Sequence, residues 1–234
     1  MRKVVIFVEG QGELIFVREF LLRWHNYAVQ LECRIILRDD NVHRADFDFP
    51  NLHADVHYRI ICVGGDAKLL TRLLKYEQYL INEGYEKIIG LRDMYSEEYV
   101  DQTNSRSVDA SLNEQFKNGI LKTINARAVR PNSIKFCFAT MELEAWWLGI
   151  PSLWNFLGEG DSQNHQVFFD DPELVFHPAP LIGRLEQLRG STYAKKKDEV
   201  NSIVSQIKRE HYVELHESQR CPSFCEFVSH IQTP

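Results

Sequence analysis

Residues 4 to 13 read Val4-Val5-Ile6-Phe7-Val8-Glu9-Gly10-Gln11-Gly12-Glu13. Five apolar residues, mostly β-branched, stop at a carboxylate and a glycine. A helical spacing of apolar residues follows at once, with Leu14, Phe16, Val17, Phe20, Leu21 and Trp24 on one face. The pattern predicts a buried strand, a tight turn and a helix. Glu9 then stands at the carboxyl end of a parallel strand, the edge where open α/β sheets bind their ligands. An acid in that place is either a metal ligand or a cap for the neighbouring helix.

The same alternation continues along the chain. Further strands are expected at Glu32 to Leu37, His57 to Val63, Lys87 to Leu91 and Ser133 to Phe138. Gly64-Gly65 and a helix bearing Leu69, Leu70, Leu73, Leu74 and Tyr76 follow the third strand. A polar stretch from Ser96 to Ser107 precedes a helix with Val108, Leu112, Phe116, Ile120, Leu121 and Ile124. A helix from Met141 to Leu148 runs on from the fifth strand. Strands separated by helical segments of about ten or more residues imply parallel βαβ units with right-handed crossovers. The expected fold is α/β, a Rossmann-like parallel sheet with helices on both faces. Prolines at 151, 172, 178 and 180 make the next stretch irregular, with a short helix near Ser152 to Leu157. Helices are then expected at Leu181 to Leu188, Lys195 to Arg209 and Pro222 to Ile231. The chain accordingly divides into an α/β core, residues 1–149, and a C-terminal helical appendage, residues 150–234.

Composition narrows the function classes. Of 234 residues, 44% are hydrophobic and 26% charged, an ordinary balance for a globular protein. No apolar run approaches the roughly 18 residues that span a bilayer, and the N-terminal apolar run is too short for a signal peptide. A cytoplasmic protein with no membrane partner is expected. Three of the five cysteines, Cys33, Cys62 and Cys137, lie in predicted strands and read as small core residues. Cys221 and Cys225 lack the second ligand pair of a structural zinc site. The net charge of −6 argues against a broad basic nucleic-acid-binding face. It does not argue against a metal-dependent nuclease, which gathers carboxylates and lets its cations meet the phosphates.

Carboxylates recur at the strand ends. Glu9 ends the first strand, Asp93 follows Ile88-Ile89-Gly90-Leu91-Arg92, and Glu142 and Glu144 follow Phe136-Cys137-Phe138. In a parallel sheet these ends share one edge, and two or three convergent carboxylates suit Mg²⁺ or Mn²⁺. The alternative is that each acid caps a helix.

Several of these pieces resemble a known family. Val8-Glu9-Gly10-Gln11-Gly12-Glu13, followed by a helix with Phe16, resembles the glutamate motif that opens Toprim (topoisomerase–primase) domains. The chain as a whole is similar to the small bacterial stand-alone Toprim-like proteins, grouped as a domain of unknown function and related to the nuclease domains of the OLD family. The matching pieces run in order: Val63-Gly64-Gly65, Leu91-Arg92-Asp93-Met94-Tyr95, Met141-Glu142-Leu143-Glu144-Ala145-Trp146-Trp147-Leu148, Tyr193-Ala194-Lys195 and Cys221-Pro222-Ser223-Phe224. The resemblance implies a Toprim-like fold and a Mg²⁺-dependent nuclease acting on DNA or RNA, serving anti-phage defence beside an ATPase partner. It implies Glu9 as general acid/base or metal ligand and Asp93 as the leading aspartate of an Asp-x-Asp pair. Tyr95 stands where the second aspartate belongs. Glu97, or Glu142 and Glu144, would then supply the missing ligands. A catalytically degenerate Toprim-like interaction module is the rival expectation, and a small-nucleotide phosphohydrolase a third.

Other residues carry two readings each. Lys195, in the run Lys195-Lys196-Lys197, is either a catalytic cation for a scissile phosphate or part of a solvated helix start. Arg92 would contact phosphate or pair with the carboxylates. Gly64 and Gly65 would admit a phosphate close to the backbone or simply form a turn. Of Trp146 and Trp147, one reads as core and the other as packing on the appendage or anchoring a partner.

Overall fold

The computed structural model describes residues 1–37, 41–45, 47–65, 68–103, 106–154 and 168–232. The elements are β1 (Arg2–Val8), α1 (Gln11–Trp24), β2 (Gln30–Ile36), β3 (Val42–Arg44), β4 (Val56–Cys62), α2 (Leu69–Asn82) and β5 (Lys87–Asp93). They continue with α3 (Glu97–Gln102), α4 (Ala110–Arg127), β6 (Ile134–Ala139), α5 (Glu144–Leu148) and α6 (Pro151–Trp154). The last four are α7 (Ala179–Leu188), α8 (Lys197–Gln206), α9 (Arg209–Ser218) and α10 (Pro222–Gln232). Two compact units form. The first holds 1–93 and 110–138, the second 94–109 and 139–234. The residues from Ala139 to Gly149 thus pack with the C-terminal part of the chain.

In the first unit the strands lie in the order β3-β2-β4-β1-β5-β6. β1 runs parallel to β4 and to β5, with Val5 opposite Arg59 and Ile88. This central place explains why Val4 to Val8 are wholly buried, since a parallel strand covered on both faces reads as a continuous apolar run. Val4, Ile6 and Tyr58 share the face toward α1. Val5, Phe7, Ile61 and Ile88 share the other face with Leu69, Leu73 and Leu80 of α2 and Ile124 of α4. Helices therefore cover both faces, and the fold is the Rossmann-like α/β sheet expected.

Four local features depart from the sequence expectations. β3 pairs antiparallel with β2, Ile35 facing His43, so the sheet is not wholly parallel. At three residues β3 is too short to show a period in sequence. α3 forms inside the polar stretch that follows Tyr95, its N-terminus capped by the Ser96 side chain, which accepts from Tyr99 N–H. The helix expected from Met141 starts only at Glu144, because Met141 has φ +64 and breaks the helical path. The helix expected over Lys195 to Arg209 is two, α8 and α9, parted at Ile207 and Lys208. α6 fits the short helix expected near Ser152, whose further residues 155–157 lie outside the described residues.

The second unit is built on aromatic packing. Trp146 lies 5.3 Å from Phe224 and 5.7 Å from Phe227, ring centre to ring centre. Ser223, at the start of α10, ties four segments together. Its hydroxyl donates to Glu173 Oε1 at 2.5 Å and accepts from Trp146 Nε1 at 2.8 Å and from Thr140 N at 3.2 Å. The buried Glu173 also accepts from Ser223 N–H, so it caps α10. Both Trp146 and Trp147 are core residues, at 0% and 1% exposure, so neither serves as a surface anchor. Among the described residues, no helix is long and apolar enough to cross a membrane.

One glycine in the sheet admits a neighbour rather than a turn. A Cβ at Gly90 would meet the Phe136 ring at 2.7 Å and Leu69 at 3.2 Å. Gly90→Ala overpacks that layer and should lower stability by about 1–3 kcal/mol. Urea unfolding checks this, and a midpoint equal to wild type would refute the close packing.

Candidate functional site

Two glutamates form the centre of the second unit's chemistry. Glu142 and Glu144 are each 3% exposed, and they present carboxylate oxygens within 4.8 Å of each other. Charges so buried require partners. Lys195 supplies them: its Nζ lies 2.6 Å from Glu142 Oε1 and 3.2 Å from Glu144 Oε1. Glu142 Oε2 faces His177 Nδ1 at 2.9 Å and accepts from Ala179 N–H at 3.2 Å. A carboxylate acceptor at that distance places the imidazole proton on Nδ1. Tyr193 O–H donates to Glu144 Oε1 at 2.5 Å. Burial pushes the Glu144 carboxyl above its ordinary range. The Lys195 ammonium opposes that shift, and the Glu142 charge adds to it.

The backbone is bent to make this arrangement. Met141, immediately before Glu142, has φ +64, His177 has φ +52 and Lys195 has φ +58. Each is a non-glycine residue in the left-handed region, where a side chain costs about 1–3 kcal/mol. All three either adjoin Glu142 or bond to it. Such outliers persist only where surrounding contacts fix them, and they concentrate at functional sites. Tyr95 stacks its ring on His177 with centroids 4.3 Å apart and an interplanar angle of 8°. It therefore orients a residue that holds Glu142. Tyr95 N–H donates to Met141 O at 2.7 Å, and Met94 N–H to Ala139 O at 2.9 Å.

The other sequence-derived candidates are distributed as follows. Asp93 is the last residue of β5, is 8% exposed and directly precedes Met94. Glu9 follows β1 and is half-buried. The cap expected of an acid there is supplied by Glu13, whose Oε2 accepts from Gly10 N–H at 2.8 Å. Arg92 is half-buried in β5. Gly64 and Gly65 have φ +70 and +143, and Gly65 N–H donates to Glu9 O at 3.0 Å. That contact explains both glycines as a turn closed against the end of β1. Glu97 is exposed in the first turn of α3. Lys196 and Lys197 are exposed at the start of α8, as a solvated helix start requires, whereas Lys195 points to the glutamates. His177 and Tyr193 are the partners that sequence reasoning did not single out as site residues. Tyr193 was quoted only as part of a motif, and His177 lies among prolines without periodicity.

The pair itself offers carboxylate oxygens, each held by hydrogen bonds or ion pairs. That donor set suits a hard divalent cation such as Mg²⁺ or Mn²⁺ rather than zinc. The cysteines do not compete: Cys221 Sγ faces Ala145 O at 3.8 Å and Cys225 Sγ faces His216 O at 3.4 Å. No protein-family model, curated protein or solved structure matches the chain.

Lys195→Met would leave the two buried carboxylates facing each other without that ammonium. Glu144, already raised, would then hold its proton more firmly in the folded than in the unfolded chain. A raised carboxyl is tolerated at low pH and destabilises as pH climbs through the unfolded value of about 4.3. The loss should be about 2–3 kcal/mol at neutral pH, below that of a fully buried pair because the Lys195 side chain is 43% exposed. It should fall below about 1 kcal/mol near pH 4. Urea unfolding at the two pH values checks this, and an equal loss at both would mean that packing, not charge, is what Lys195 supplies.

Proposed function

We propose that this protein is a divalent-metal-dependent phosphodiesterase of Toprim-like type, acting on DNA or RNA. The observation that carries the reading is the buried Glu142–Glu144 pair, gathered around one half-exposed ammonium at a strained turn. Glu142 and Glu144 hold the metal. Asp93 is a further metal ligand on the resemblance alone, as its leading aspartate. Glu9, at the end of the central strand, is the remaining acid, as general acid/base or ligand. Mg²⁺ or Mn²⁺ at such a site activates water and neutralises charge on the phosphate.

The chain's own residues then have distinct tasks. His177 and the Ala179 N–H hold the Glu142 carboxylate in one orientation. Tyr193 does the same for Glu144. Lys195, exposed enough to turn toward substrate, meets the charge on the scissile phosphate. Service in anti-phage defence beside an ATPase is supported by the family resemblance alone. A second reading, an interaction module without catalysis, is favoured by one observation: Lys195 already pairs with both glutamates.

Calorimetric titration with Mn²⁺ decides between them. The wild type should bind, and Glu142→Gln, Glu144→Gln and Asp93→Asn should each weaken binding at least about tenfold, a loss of about 1.4 kcal/mol. Metal-dependent cleavage of a nucleic acid should be lost in the same variants. A wild type that shows no heat with Mn²⁺ or Mg²⁺ would sink the nuclease reading and leave the interaction module.

A further inference from the structure

A cleft of about 500 Å³ opens in the first unit between α2 and the β2–β4 side of the sheet. That volume lies within the roughly 300–1,000 Å³ typical of small-ligand sites. Among the described residues its lining carries three cations, Arg34, Arg59 and Lys75, and no carboxylate. This stands out in a chain of net charge −6. Two rings, Tyr76 and Tyr79, border the same space, and Ile61 and Leu80 give it an apolar floor. Tyr79 is 55% exposed.

The cations are positioned, not merely present. Glu32 accepts from Arg59 Nε at 2.8 Å and pairs with Arg34 Nη2 at 3.2 Å. β2 and β4 set Glu32 opposite Arg59 and Arg34 opposite Ile61, so the three charged side chains share one sheet face. Asp48 holds Arg34 at 3.2 Å and Glu83 holds Arg59 Nη1 at 2.5 Å. These carboxylates stand outside the lining. They fix two guanidinium planes, and among the described residues Arg59 Nη2 donates to no protein acceptor. Tyr79 is fixed in the same way, its O–H donating to Glu83 Oε1 at 2.5 Å.

We propose that this cleft binds a nucleoside phosphate, with the phosphate on Arg34, Arg59 and Lys75 and the base against Tyr79. Pre-oriented guanidinium groups suit phosphate oxygens, and an exposed tyrosine face stacks on any base. A free nucleotide and one residue of a single strand offer the same chemistry. The site lies wholly within the first unit and does not depend on the metal reading given above.

The test uses the full chain in EDTA, which takes the carboxylate site out of play. Anisotropy of a fluorescein-labelled oligothymidylate of about twelve nucleotides and calorimetry with ADP and with pyrophosphate are the probes. The wild type should bind the oligonucleotide, ADP or both, the first alone pointing to a strand and the second to a free nucleotide. Lys75→Glu and Tyr79→Ala should each weaken binding about tenfold. Tyr79→Phe, which keeps the ring but loses its bond to Glu83, should weaken it less than Tyr79→Ala, and Glu142→Gln, outside the cleft, should bind as wild type does. The proposal is overturned if the wild type binds neither probe, or if Lys75→Glu and Tyr79→Ala bind like wild type. It is overturned too if pyrophosphate binds as tightly as ADP, since the ring would then contribute nothing.

Discussion

One ammonium group between two buried carboxylates conditions the second unit of this protein. Without Lys195, Glu142 and Glu144 would carry adjacent charges at 3% exposure each, a state whose Coulombic and desolvation terms are both unfavourable. With it, both acids stay in place, and the chain tolerates three left-handed residues around them. The strain is local and the compensation is distributed. His177 is braced by the Tyr95 ring, and Tyr193 packs edge-on against the buried Trp147. Each side chain that touches a glutamate is itself held by an aromatic residue or by a strained backbone.

Much of the fold was legible because the forces that set it are periodic. The run Val4 to Val8 announced a buried strand, and Glu9 with the glycines after it marked where it stopped. All five strands expected from pattern are present within two residues of their ends. What escaped was structure fixed by single contacts. β3 exists because three backbone positions pair with β2, and α3 because one serine caps it. Neither leaves a period in the sequence. The start of α5 was misplaced because nothing in the side chain of Met141 announces its φ of +64.

The site was legible in part for the same reason. Acids at strand ends can be read from order alone, and Glu142 and Glu144 were found that way. Their pairing with His177 and Lys195 cannot be, since these lie 35 and 53 positions beyond Glu142. Lys195 sat in a run of three lysines whose other two members are ordinary exposed helix-start residues. A left-handed φ at Lys195 accompanies its turn toward the glutamates, and sequence pattern does not record a lysine's φ.

The chain visits the second unit twice, at 94–109 and again from Ala139 onward. Glu142 therefore belongs by packing to a body most of whose residues come after it. A cut made near Gly149, where composition changes, would part an acid from its base: the glutamates on one fragment, His177, Tyr193 and Lys195 on the other. The N-terminal fragment would keep an intact sheet and carry two orphaned carboxylates, and the C-terminal fragment a lysine with no anion to meet. Swapping either part alone faces the same difficulty, because these five residues pair with one another.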